Sequence, residues 1–224
     1  VAFYGAIGAA VARMTVKPTV KAAISGGTIV AKNLAVKALF NVNNNSNYTK
    51  AGKITANALA GTGGGAVAAS GAKAEITVDG SAAAAVENAT VTLTGNADVI
   101  SRANGSITGK GEGLSVAGLV PVGGVEVTIQ NTFDTTAQII RTTITGAKYV
   151  TVLADYDGTV NGTAKGTAGG LLVAGTAQSL SMTENITTKA EVTNNSKITA
   201  SETVSVLAQD EHQVGGKATG YSVA

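Results

Sequence analysis

"TKAEVTNNSKITASETVSVLAQ", residues 188–209, holds no cysteine, no histidine and no aromatic side chain, yet near-copies of its parts recur along the chain. In "KITASETVSVLA" (197–208) Ile198, Ala200, Val204, Val206 and Ala208 fall on one side, with Lys197, Thr199, Thr203 and Ser205 on the other. "ATVTLTG" (89–95) and "VEVTIQN" (125–131) alternate in the same way. Alternation with period two predicts strands with one face buried. The Val, Ile and Thr that dominate them suit a pleated surface.

Three sets of markers align copies of these strands. Val36, Val91, Val152 and Val206 step by 55, 61 and 54 residues. Ala22, Ala74, Ala137 and Ala190 step by 52, 63 and 53, and Ala60, Ala117 and Ala174 step by 57 twice. Together they give one period of about 57 residues, with the variation assigned to loops. "SITGKGEGLSVAG" (106–118) echoes "KITASETVSVLAQ" (197–209) in a different phase, so each repeat is read as two coils of about 28 residues.

Repeated short strands with small inward residues predict an all-β parallel β-solenoid (β-helix), one continuous segment over residues 1–224 with about four repeats. About eight coils at the inter-strand spacing would give a body on the order of 40 Å long. "NVNNNSN" (41–47), "GTGGG" (61–65), "RANGS" (102–106), "DYDGTVNG" (155–162) and "VTNNS" (192–196) read as corners, because Gly and Asn tolerate a positive φ. "SAAAAVENA" (81–89) reads as strand or a short bulge despite its helix-prone alanines. Pro occurs only at Pro18 and Pro121, as a chain of hydrogen-bonded ladders requires. The alternative fold, a β-sandwich, would carry a large aromatic core residue and more edge Pro.

Composition narrows the function classes. Aromatic residues make up 4% of the 224-residue chain and charged residues 13%, with no Trp. A net charge of +2 gives no basic patch for nucleic acid or an anionic membrane. The 44% of hydrophobic residues are largely Ala and Val, which demand a thin core with close backbones. There is no Cys for a disulfide or thiolate site, which fits a long chain exported unfolded. No signal peptide is visible, and the apolar run "VAFYGAIGAAVA" (1–12) is too short to span a bilayer as a helix. Both ends fall inside the repeat pattern and lack polar caps, so end-to-end pairing is expected.

The stretch 188–224 resembles the repeat of large bacterial adhesins of the Fusobacterium leukotoxin type, and of filamentous haemagglutinins. The shared order is an alanine-charged-isoleucine strand, a turn, an isoleucine-threonine-alanine strand, a Val-x-Val-x-Ala strand and a glycine- and alanine-rich strand. The likeness extends over nearly the whole chain, best in 136–224 and least in 1–57. The motif is degenerate, so it implies a class and not an individual activity. It implies secretion, surface display as a long fibre, and no catalytic residue to carry over.

Four features could carry chemistry. "DEH" (210–212) holds the only histidine, beside two acids, and reads as a solvated turn after a strand. "DYDG" (155–158) resembles the start of a calcium loop but lacks the further acidic ligands, and reads as a turn. "GTGGG" (61–65) lacks the Lys-Ser/Thr and helix of a phosphate loop and reads as close coil packing. Glycan cleavage needs clustered carboxylates. The 14 acids are scattered, and Arg occurs only at Arg13, Arg102 and Arg141. Sequons at Asn47, Asn88, Asn104 and Asn185 leave glycosylation open.

These observations predict no catalytic residue, no metal ligand and no cofactor. The expected function is a structural shaft or filament segment of a secreted, extracellular bacterial surface adhesin. The alternatives are a carbohydrate-active β-helix enzyme and a self-assembling fibre subunit. The expected partners are neighbouring repeats or subunits stacked end to end, with host or bacterial receptors or glycans as further candidates. Neither nucleic acid nor membrane insertion is expected.

Overall fold

The computed structural model describes residues 4–42 and 52–224. Every regular element in them is a strand. The first circuit comprises β1 (Gly5–Val16), β2 (Thr19–Ser25), β3 (Thr28–Ala31), β4 (Leu34–Phe40) and β5 (Lys53–Gly64). The second comprises β6 (Val67–Glu87), β7 (Thr90–Leu93) and β8 (Ala97–Ala117). The third is β9 (Val120–Ile140) and β10 (Thr143–Gly169), and the fourth β11 (Gly175–Thr193) and β12 (Lys197–Val223).

Each circuit passes once through each of two sheets, and all pairings are parallel. One sheet runs β1-β6-β9-β11, with β2 also on β6. The other gathers β3, β4, β5, β7, β8, β10 and β12. This is a parallel β-solenoid, with the core between the two sheets.

The register corrects the repeat arithmetic. From the second circuit to the third, partners lie 53 residues apart, as at Asn104 and Asp157. Between the first and second circuits the step is 62 at Arg13 and Glu75, and 63 between Asn33 and Asn96. The excess comes from the chain around 41–52, since the step returns to 53 at Thr62 and Ser115. One repeat is therefore one coil, and its two similar halves are the strands of the two sheets. Four coils give three steps of about 4.8 Å, a stack of about 14 Å between the outermost strands.

The marker columns shift accordingly. Val36 stacks on Val99, then Val152, then Val206. Val91 belongs to another column, with Ile29 and Ile144. Ala22, Ala137 and Ala190 share a column as expected, but Ala84 stands in it instead of Ala74. Ala60 pairs with Gly113 and not Ala117. Val91 is nonetheless fully buried, as are Val99 and Val152, while Val206 on the end coil is 45% exposed.

Two of the predicted corners are interior strand. "RANGS" lies within β8 and "DYDGTVNG" within β10. Their glycines make room. A Cβ on Gly105 would collide with the Tyr156 hydroxyl oxygen, and one on Gly158 would lie 2.6 Å from Tyr156 Cε1. Tyr156 and Phe133 are the largest fully buried side chains. Phe133 stacks on Phe40 at 5.3 Å and meets Tyr156 at 5.7 Å. "SAAAAVENA" is strand as far as Glu87, then turns. "VTNNS" is a true corner, with Asn194 and Asn195 at φ 54° and 60°. "GTGGG" spans the end of β5 and the following bend. Residues 43–47 of "NVNNNSN", with the sequon at Asn47, lie outside the described residues.

Candidate functional site

The alternation that builds the sheets leaves charged side chains outside, where they pair up the stack. Arg13 meets Glu75 at 3.1 Å, Lys73 meets Glu126 at 3.1 Å and Arg102 meets Asp155 at 3.2 Å. Each of these pairs joins register partners on successive coils. Many of the acids are thus distributed along ladders, while Asp155, Asp210 and Glu211 line one open pocket of about 440 Å³ at the edge of the last coil. Among the described residues no group of three His, Cys, Asp or Glu side chains is placed to hold a metal ion. The outer face of the first sheet carries an open trough of about 480 Å³. Its floor is the register column Ala9, Gly71, Gly124 and Ala177, where small side chains leave a gap between neighbouring columns.

The singled-out motifs sit elsewhere than expected. Asp155 and Asp157 flank the inward Tyr156 on one strand and therefore point outward. Asp157 accepts a hydrogen bond from Asn104 Nδ2 at 3.3 Å, and burial followed by the charge of Glu211 pushes its carboxyl above the ordinary range. "DEH" is not a turn. It lies in mid-β12, with Asp210 in register with buried Tyr156 and His212 in register with Gly158. Asp210 and His212 therefore stand on the core-facing side of the last coil, 3.2 Å apart between Oδ1 and Nδ1. Of the sequons, Asn88 sits at a corner with φ 53° and Asn104 and Asn185 lie within β8 and β11.

The most distinctive surfaces are the two ends of the stack. Among the described residues β1 pairs only with β6, β11 only with β9, and β12 only with β10. The first and last described coils therefore each pair on one side only and turn a face of core side chains along the stack. The first-coil face is apolar along its inward positions, including Ala12, Val16, Ile24, Leu34 and Phe40. The last-coil face is apolar at Leu180, Met182, Ile186 and Val192 but polar at its middle. There Glu184 lies between Met182 and Ile186 on the inward side of β11, in register with buried Asn131. Asn131 donates from Nδ2 to Glu184 Oε1 at 3.0 Å and to the Tyr156 oxygen at 2.9 Å. Sequence reasoning missed Glu184, although the alternation Leu180, Met182, Glu184, Ile186 already sets a carboxylate on the apolar parity.

No protein-family model, no curated protein and no solved structure matches this chain. The end faces and the outer ladders are therefore the features on which a functional reading rests.

Proposed function

We propose that this chain is a structural length of a shaft or filament of the kind built by secreted bacterial surface adhesins. Its work is mechanical: it extends a fibre that carries a binding region away from the cell. In this reading it is not an enzyme, and its partners are coils stacked above and below. The observation that supports it most directly is the one continuous parallel register through four coils, whose outermost strands present parallel edges to the next coil. Such edges template strand addition. A contact of this kind is head to tail, so it lengthens a fibre and closes no ring unless the rotation happens to allow it. The ladder of ion pairs and the resemblance of the repeats to leukotoxin-type adhesins support the same reading.

Immuno-electron microscopy of cells that make the protein, with an antibody raised against this chain, tests the proposal. Label along surface fibres is the expected result. Label confined to the cell interior would overturn it.

A further inference from the structure

The two ends of the stack do not match each other. Following the register down the first sheet, Val16 stacks on Val78, Val78 on Asn131 and Asn131 on Glu184. In the second sheet Phe40 stacks on Ala103, Ala103 on Tyr156 and Tyr156 on Asp210. A second copy added head to tail in continuous register would lay Val16 over Glu184 and Phe40 over Asp210. Asp210 would then lose water and Glu184 would stay without a partner at Oε2, with only a valine and a phenylalanine laid over them. Removing an ion from water without a partner is strongly unfavourable.

The cluster is also short of donors. Asn131 is only 1% exposed, both of its bonds leave from Nδ2, and its Oδ1 has no partner. Glu184 Oε2 is likewise shut from solvent without a partner. The acceptors Asn131 Oδ1, Glu184 Oε2 and the two Asp210 oxygens therefore outnumber the donors left to meet them, the Tyr156 hydroxyl proton and one ring nitrogen of His212. His212 supplies one ring nitrogen to Asp210, and among the described residues no other side chain donates to that carboxylate.

Resting on the coil-stacking reading above, we propose that the β11–β12 face receives a coil of different sequence. That coil carries amide or cationic side chains over Glu184 and Asp210, and the face rejects a second copy of this chain. The apolar positions Leu180, Met182, Ile186 and Val192 supply the contact area. The two carboxylates supply the selection, because a mismatched coil must bury them unpaired.

Sedimentation of the purified chain at neutral pH tests this with three proteins: wild type, Val16→Lys, and the double variant Glu184→Leu/Asp210→Leu. Val16 lies half-buried on the first-coil face, so the lysine can reach a neighbour without entering the core. Val16→Lys is expected to associate at least about tenfold more tightly than wild type, in a salt-sensitive manner. The leucine pair is expected to do so without salt sensitivity. Adding Glu184→Gln to Val16→Lys should remove most of the gain. Wild type associating as tightly as the variants, or Val16→Lys no more tightly than wild type while the leucine pair associates, would overturn the selection and leave coil stacking standing. Failure of all of them to associate, with circular dichroism confirming that each is folded, would overturn coil stacking and the selection together.

Discussion

The Asn131 side chain donates to the Tyr156 hydroxyl oxygen at 2.9 Å, and this bond joins the two sheets through the core of the third coil. Asn131 comes from β9 and Tyr156 from β10, 25 residues later and in the opposite sheet. In a largely aliphatic core it joins the bonds that Ser101 and Ser115 of β8 donate to the Ala82 and Ala68 carbonyls of β6. Burial pushes the Tyr156 hydroxyl up to about 12; the Asn131 bond opposes that, and the charges of Glu184, Asp210 and Asp157 add to it.

That shift predicts an alkaline loss of stability. The folded value lies above the unfolded value of about 10, so the contribution is intact below pH ~10 and is lost as pH rises through about 12. A shift of about two units corresponds to roughly 2–3 kcal/mol. Tyr156→Phe removes the titrating group. The stability difference between wild type and Tyr156→Phe, from urea titrations at several pH values, should move against wild type by about that amount across the interval. A difference independent of pH would contradict the assignment.

The valine column predicts a gradient of mutational cost within one set of register partners. Val99 and Val152 are fully buried, whereas Val206 is 45% exposed. Truncation to Ala at Val99 or Val152 should cost about 1–3 kcal/mol, from lost transfer energy and an unfilled cavity. Val206→Ala should cost less than about 1 kcal/mol in the isolated chain. Equal costs at all three sites, measured by chemical denaturation, would show that the end coil is covered.

Much of this architecture is legible in the sequence. The alternation in 125–131 and 197–208 gave strands of the right parity. The parallel stacking followed from the repetition. The register did not follow so easily. Val91 and Val99 lie eight residues apart on consecutive strands with the same alternation, and the extra length of chain near 41–52 blurred a 53-residue coil into a longer mean. Glycines were misread for a physical reason. In "RANGS" and "DYDG" they serve the bulk of Tyr156, a contact with a partner that only the fold brings near. Likewise the local polarity of "DEH" suggests a turn, whereas pairing with β10 makes it strand, with Asp210 and His212 on the core-facing parity and still exposed on the end coil.

Glycine spacing predicts which positions set the distance between the sheets. A Cβ on Gly111 would lie 2.7 Å from Val125 Cγ1 and 3.1 Å from Val127 Cγ2, in the opposite sheet. Gly111→Val should therefore cost about 1–3 kcal/mol by overpacking. Gly124 faces the outer trough, and a Cβ there meets nothing within 4 Å. Gly124→Ala should stay within about 0.5 kcal/mol of wild type. Comparable thermal midpoints for the two variants would refute the close facing of β8 and β9.

The corner after the first sheet supplies a prediction of opposite sign. Gly26, Asn88, Arg141 and Asn194 occupy it on successive coils, with φ of 76°, 53°, 46° and 54°. The N–H of each of the first three donates to a carbonyl of the next coil, from Gly26 to Glu87, from Asn88 to Ile140 and from Arg141 to Thr193. The ladder thus runs unbroken round the turn, and the left-handed backbone is required on every coil. Gly and Asn adopt it readily, whereas an ordinary side chain such as Arg adopts it at a cost of roughly 1–2 kcal/mol. Arg141 recovers part of this through a 2.6 Å bond from Nε to Asn88 Oδ1, on the exposed rim. Arg141→Asn relieves the strain and should raise stability by about 0.5–1 kcal/mol. Arg141→Ala retains a Cβ in the left-handed region and loses the rim bond, so it should fall below wild type. The order Asn above Arg above Ala, read from urea midpoints, distinguishes backbone strain from loss of charge, because both variants remove the guanidinium and only one relaxes the turn.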